Sequence, residues 1–186
     1  MEDFYFITGN DNKYKEVCEI LGKKIKRIEI DLEEIQSDDS YKIAKKKVLE
    51  AYRILKKPVV IEDISFYIDA FNGFPGPLIK FLVSSNGTQG IYNIMKGQKN
   101  KKAVSRCVVA HFDGKNLNFF TGDVKGKIVA PKGKSKFGFD PIFQPEGKQE
   151  TLAEMGKDEK NKISHRSLAW KKFGEFIKKA QNRKLM

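Results

Sequence analysis

A chain of 186 residues with 40% hydrophobic content is long enough to bury one sizeable core, and residues 1–186 are read as a single domain. No run approaches the roughly 18–20 apolar residues of a membrane span. Glu2 and Asp3 precede only four apolar residues, unlike a secretory leader, and Cys18 and Cys107 sit in apolar stretches as reduced core thiols, so a cytoplasmic protein with no membrane partner is expected. The net charge of +12 comes from 36 basic residues, only five of them arginine; it suits phosphate attraction or a solvated lysine surface better than arginine-led reading of bases.

Phe4-Tyr5-Phe6-Ile7 reads as a strand that stops at Thr8-Gly9-Asn10-Asp11-Asn12-Lys13. A helix follows, because Tyr14, Val17, Cys18 and Leu21 fall at i, i+3, i+4 and i+7 before Gly22. This strand–loop–helix plan turns backbone N–H groups toward a phosphate, with Lys13 as a mobile cation. The plainer reading is an ordinary turn with Asn10 or Asp11 as N-cap. Residues 25–30 alternate as a half-buried strand. A second helix is predicted from about Ser40 to Leu55, with Ala44, Val48, Ala51, Tyr52 and Leu55 on one face. Among Lys45, Lys46 and Lys47, only Lys47 is flanked at i−4, i−3 and i+4 by Ile43, Ala44 and Ala51, so it either snorkels or meets an anion.

Pro58 resets the chain into Val59-Val60-Ile61, a short buried strand that ends at Glu62-Asp63. Residues 103–112 and 116–129 read as long antiparallel strands around Asp113-Gly114. A last helix runs from about Ser164 to Ala180, with Ser164 as N-cap and Ala169, Phe173, Phe176, Ile177 and Ala180 inward. The lysines at 99, 101 and 102, and the basic residues Lys178, Lys179, Arg183 and Lys184, read as surface. Gly133-Lys134-Ser135 imitates the end of a P-loop, but the required earlier glycine is Ile128, so that motif fails.

Three clusters carry chemistry. If the first strand and the Val59 strand neighbour in parallel, Lys13 and the Glu62-Asp63 carboxylates converge on one crevice at the strand ends, where α/β proteins place ligands. Glu34 could join them from a loop, and carboxylates beside a phosphate site make sense if Mg²⁺ bridges them. Phe137-Gly138-Phe139-Asp140 and Lys160 to Arg166 form the third cluster. Rings spaced by glycine can stack on a base, while Asp140, His165 and Arg166 can hydrogen-bond its edge. His165 and Arg166 lie in the first turn of a helix, where cations oppose the dipole, which hints at a functional reason for them.

Thr8-Gly9-Asn10 with Lys13, Glu62-Asp63, GFPGP at 73–77, FGFDP at 137–141 and EKNKISHR at 159–166 together resemble the inosine triphosphate pyrophosphatase family, in family order and across essentially the whole chain. The resemblance implies hydrolysis of non-standard purine nucleoside triphosphates (ITP, dITP, XTP) to the monophosphate and pyrophosphate. It implies Thr8, Gly9, Asn10, Lys13, Lys47 and Lys160 on the triphosphate, and Glu34 and Asp63 on Mg²⁺. Asp63 is also implied as activator of water, with Lys13 and Glu62 as further catalytic groups. Phe137, Gly138, Phe139, Asp140, Ser164, His165 and Arg166 are implied as the base pocket. A nucleotide partner, a homodimer and no stable nucleic-acid complex are implied too. Ile64 departs from the family, which usually has Ser or Thr there; Ser65 follows instead. The expected fold is α/β: a mixed twisted sheet with long strands and flanking helices, two lobes around a central cleft. The alternatives are a non-catalytic nucleic-acid-binding module and a phosphatase that releases orthophosphate.

Overall fold

The computed structural model describes residues 4–135 and 137–184; Glu2 and Asp3 lie outside them, as do the side chains of Arg183 and Lys184. The order is β1 (Tyr5–Ile7), α1 (Asp11–Leu21), β2 (Lys26–Ile28), α2 (Ser40–Leu55), β3 (Val59–Ile68), β4 (Pro75–Gly76), α3 (Ile79–Met95), β5 (Lys102–Phe112), β6 (Leu117–Ile128), β7 (Phe143–Pro145), α4 (Lys157–Ile163) and α5 (His165–Lys184). The strands form one mixed sheet ordered β2-β1-β3-β5-β6-β7, with β4 beside the far end of β3. β1 is parallel to β2 and β3, and the other pairs are antiparallel.

The Val59 strand is ten residues long rather than three, so Glu62 and Asp63 lie in mid-strand. β5 pairs along all of it, from Val59 with Phe112 to Ile68 with Ala103. β1 pairs only through Val60, and β4 joins at Phe66. Between them the edge of β3 from Ile61 to Ser65 has no strand beside it among the described residues. That gap is the floor of the cleft, and the strand continues through its acids because β5 pairs the backbone groups of its other edge without a break.

Three apolar clusters hold the fold. Phe6, Trp170 and Phe173 join one sheet face to α1 and α5, with the Phe6 and Trp170 rings 4.8 Å apart. Ala44, Val48 and Ala51 of α2 cover Val59, Ile61, Val108 and Ala110 on the other face. Beyond the gap, Phe66, Phe139, Phe143, Ile91 and Met95 form the third. Burying each of these large side chains stabilises by about 1.5–3 kcal/mol. Gly122 of β6 sets how closely α5 approaches. A Cβ there would lie 2.1 Å from the His165 carbonyl and 2.7 Å from the Ala169 nitrogen. Any larger residue would push the start of α5 off β6.

The predicted α2 and α5 are present, and Ser164 caps α5, its Oγ accepting from the Ser167 N–H at 3.2 Å. α3 and α4 lack a sequence counterpart. Cys18 and Cys107 are both free. Lys178 and Lys179 are exposed. Among the described residues, no helix is long and apolar enough to cross a membrane.

Candidate active site

The turn after β1 is held by its own side chains. The Asn10 N–H donates to Thr8 Oγ1 at 3.1 Å, and Asn10 Oδ1 accepts from the Lys13 N–H at 3.0 Å. Asn10 is therefore the N-cap of α1. Thr8 Oγ1 acts as acceptor within the loop, so its own hydroxyl hydrogen is left for a ligand. Lys13 reaches along the cleft to Glu62, Nζ to Oε1 being 3.4 Å.

On the α2 side, Lys47 turns inward as its helical phase requires. Its Nζ lies 2.8 Å from Glu34 Oε1 and 3.4 Å from Asp63 Oδ1. Lys46 instead pairs with exposed Glu33, and Lys45 faces solvent. Burial raises the Asp63 carboxyl above its ordinary range, more than Lys47 and Lys13 lower it. Burial alone would lower Lys47, but Asp63 and Glu34 outweigh it and raise the ammonium. The hydrogen bond from Lys47 lowers Glu34. Asp63 Oδ2 is buried without a hydrogen-bond partner.

On the opposite face of β3 both oxygens of Glu62 are satisfied. Glu62 accepts from Arg166 Nε at 3.1 Å, from Arg166 Nη2 at 2.9 Å and from the Trp170 indole N–H at 2.8 Å. Arg166 Nη1 donates to Glu16. Burial alone would raise Glu62, yet the charges of Arg166 and Lys13 and these hydrogen bonds hold it at about 2. Above this cluster the Arg166 guanidinium lies 4.6 Å from the Phe137 ring centre, and Lys160 Nζ 4.3 Å from it. Lys160 also donates to Asp140 Oδ2 at 2.7 Å, an oxygen that accepts from Ser135 Oγ as well. Burial, reinforced by Arg166 and Lys160, lowers His165 to about 3, so the imidazole is neutral near pH 7. Its Nδ1 is buried with no partner. Phe139 is only 6% exposed and stacks on Phe66 at 4.5 Å. Phe137 is therefore the more open ring of the two.

Both sides open into one cavity of about 860 Å³. Every predicted site residue lines it: Thr8, Gly9, Asn10, Lys13, Glu34, Lys47, Glu62, Asp63, Phe137, Gly138, Phe139, Asp140, Lys160, Ser164, His165 and Arg166. The Ham1 family profile matches residues 4–176. The chain belongs to the Ham1 family. Ham1 relatives include a protein named dITP/XTP pyrophosphatase from Methanopyrus kandleri, 40% identical over 93% of this chain and 95% of its own length. Another of that name, from Saccharolobus solfataricus, is 39% identical over 92% of this chain and 91% of its own. Among solved structures, a HAM1 protein from Coxiella burnetii superposes with a TM-score of 0.85 at 26% identity, covering 96% of this chain and all of the other.

Glu16 and Lys80 are among the cavity residues of this Ham1 chain that escape the sequence reading. Glu16 had a usable signal, since it lies three residues after Lys13 on the same helical face. Lys80 had none. It lies in the first turn of α3, and only the tertiary fold brings its Nζ to 3.7 Å from Glu34 Oε2. At the family departure, Ile64 lines the cavity, whereas Ser65 is fully buried on the other face and lines no part of it. Its hydroxyl does not stand in for the missing one.

Proposed function

We propose that this chain hydrolyses non-standard purine nucleoside triphosphates (dITP, XTP and ITP) to the monophosphate and pyrophosphate. The observation that carries the reading is that one cavity joins two kinds of surface. One is a cation-lined rim with a buried, unpartnered carboxylate oxygen; the other is a donor-rich aromatic wall. The former suits a triphosphate and a water, and the latter a 6-keto purine. The names of the Ham1 relatives support the same substrate class.

Glu34 and Asp63 also suit Mg²⁺. The free Asp63 Oδ2 offers a ligand, and magnesium needs only one or two carboxylates beside substrate phosphates and water. No group of three or more His, Cys, Asp or Glu forms a cage among the described residues. When bound, such an ion supplies charge neutralisation at the phosphates. The chain's own residues supply the rest. Thr8, Asn10, Lys13 and Lys47 hold the phosphates, Lys47 exchanging its carboxylate contacts for phosphate oxygens. Asp63 accepts a proton from a water that attacks the α-phosphorus. The bond to the α–β bridging oxygen breaks, and pyrophosphate departs against the lysines. Glu62, both oxygens taken, positions Arg166 and Lys13. Phe137 stacks on the base. Arg166 retains two N–H groups for a purine O6, where adenine would present an amino donor instead. Such a mismatch discriminates by about 10²-fold or more.

The test is a panel of ITP, dITP, XTP, GTP and ATP with Mg²⁺. Pyrophosphate from the first three is expected. Orthophosphate selects the phosphatase reading, and no product with salt-sensitive binding of single strands selects the nucleic-acid module. We also infer a cytoplasmic homodimer. Phe74 and Phe81, 53% and 56% exposed near the cavity mouth, support a covered surface, which sedimentation would test.

A further inference from the structure

The loop that receives phosphates in the reading above is flanked by the wrong charge. Asp11 is the first residue of α1, at the N-terminus where the helix dipole attracts any anion, its own carboxylate included. Glu29 leans over Gly9 from the other side: a Cβ on Gly9 would lie 2.4 Å from Glu29 Oε1. Unrestrained, the Asp11 carboxylate competes for the N–H groups that a triphosphate would use.

One side chain answers this. Arg27 stands on β2 opposite Phe6, beside the end of β1. Its Nε donates to the Thr8 carbonyl at 2.8 Å, and its Nη1 binds Asp11 Oδ1. The Thr8 peptide is thereby fixed on both sides by β2, since its N–H also donates to the Ile28 carbonyl at 3.1 Å. The guanidinium is itself supported by the Tyr14 ring, 5.5 Å to the ring centre, and Tyr14 is tied through its hydroxyl to the Ile25 carbonyl at 2.9 Å. Arg27 does not line the cavity. The Arg27–Asp11 pair is partly exposed, 23% and 73%, so as a bare ion pair it stabilises the fold little. Its geometry makes sense as control of where the Asp11 charge sits.

We propose that Arg27 is a positioning residue for the phosphate loop: it anchors the Thr8 carbonyl and holds the Asp11 carboxylate outside the anion site. This rests on the triphosphate reading of the cavity, so the test carries a readout independent of turnover. Binding of inorganic triphosphate without divalent metal is measured by calorimetry, beside KM and kcat for dITP with Mg²⁺ and the melting temperature, for Arg27→Ala, Arg27→Lys, Asp11→Asn and Arg27→Ala/Asp11→Asn.

Arg27→Ala is expected to weaken triphosphate binding about tenfold, the scale of one charge-assisted contact, with KM rising in parallel and kcat within about threefold. Asp11→Asn alone is expected to change little. The double variant recovers to within about threefold of wild type, because the competing charge is gone. Arg27→Lys falls between wild type and Arg27→Ala, since one ammonium does not grip both oxygens as the fork does. Unchanged binding in Arg27→Ala, or a double variant as weak as Arg27→Ala, overturns the proposal. So does a fall in kcat and melting temperature with KM unmoved. A wild-type chain that binds triphosphate but releases no pyrophosphate from dITP sinks the enzymatic reading and leaves this one to stand on the binding data. A wild-type chain that binds no triphosphate sinks this one.

Discussion

Glu62 and Asp63 are consecutive residues of β3, so the pleat sends their side chains to opposite faces of the sheet, where they meet opposite surroundings. Glu62 is held at about 2 by Arg166, Lys13 and Trp170 against the effect of burial. Asp63 is raised because burial outweighs Lys47 and Lys13, and one of its oxygens has no partner. Folding alone has completed the first environment and, beside the Lys47 contact, left one oxygen of the second without a partner. A carboxylate that folding has already satisfied is suited to fixing its neighbours, and one left short is suited to chemistry.

The sharpest way to break this comparison is Asp63→Asn. Loss of the proposed base and of the charge proposed to bind the metal is expected to lower pyrophosphate release by about 10³-fold, the range of a positioned general base. The melting temperature should stay within a few degrees, because the amide is isosteric and Oδ2 gives up no hydrogen bond. Activity within a few-fold of wild type would remove Asp63 from the mechanism. The Glu62 side should behave in the opposite way. Arg166→Ala leaves Glu62 and Glu16 buried without their cation. Stability is expected to fall by about 3–5 kcal/mol, or roughly 6–20 °C in Tm for a chain of this size. Arg166→Lys keeps the charge but not the fork. It is therefore the variant that tests base recognition, with a larger loss of kcat/KM expected for ITP than for ATP. A parallel loss on both substrates would assign Arg166 to the phosphates or the fold.

The sequence disclosed the lining of the candidate cavity more fully than it disclosed the fold around it. Thr8 to Lys13, Lys47 and the residues from Phe137 to Arg166 were legible because spacing and helical phase are local. The length of β3 was not. Its apolar run breaks at Glu62-Asp63, and only the pairing with β5 and the charge of Arg166 let the strand continue. α3 was hidden by its composition: Ser84, Ser85, Asn86, Gly87 and Gly90 are weak helix formers, and Gly87 interrupts the helix with φ of 62°. α4, KDEKNKI, is too short and polar to show an apolar face. Partnerships such as Arg166 with Glu16, 150 residues apart, belong to tertiary structure alone.

Lys47 sharpens the comparison from the underfilled side. It sits between Glu34 and Asp63 with only 14% of its side chain exposed, whereas Lys46 is 47% exposed beside Glu33. Lys47→Ala is expected to raise KM for ITP by roughly 10- to 150-fold, equivalent to about 1.5–3 kcal/mol for one charge-assisted contact. Lys45→Ala and Lys46→Ala should remain near wild type. Equal, modest effects from all three would mean diffuse attraction by the lysine-rich surface, and the helical-phase argument would fall.

The smallest effect concerns His165, which lies on the Glu62 side and keeps Nδ1 unpaired. Burial and the positive charges of Arg166 and Lys160 hold its folded-state value at about 3, against an ordinary 6.5. Between those values the unfolded chain binds a proton that the folded chain refuses, so stability falls as pH drops below 6.5. One unit below 6.5 the cost is about 1.4 kcal/mol. From pH 6.5 to about 5.5 Glu62 adds almost nothing, because its ordinary value is 4.5 and its folded value about 2; by pH 4.5 half of the unfolded carboxyl is protonated, which costs about 0.4 kcal/mol in wild type and variant alike. Below 4.5 Glu62 acts with the same sign. Melting curves of wild type and His165→Asn from pH 8 to 4.5 isolate the contribution. The two should run parallel above pH 6.5, and the wild type should then fall more steeply. Curves that stay parallel down to pH 4.5 would show that His165 takes up its proton without penalty, and that this face of the cavity is open to water.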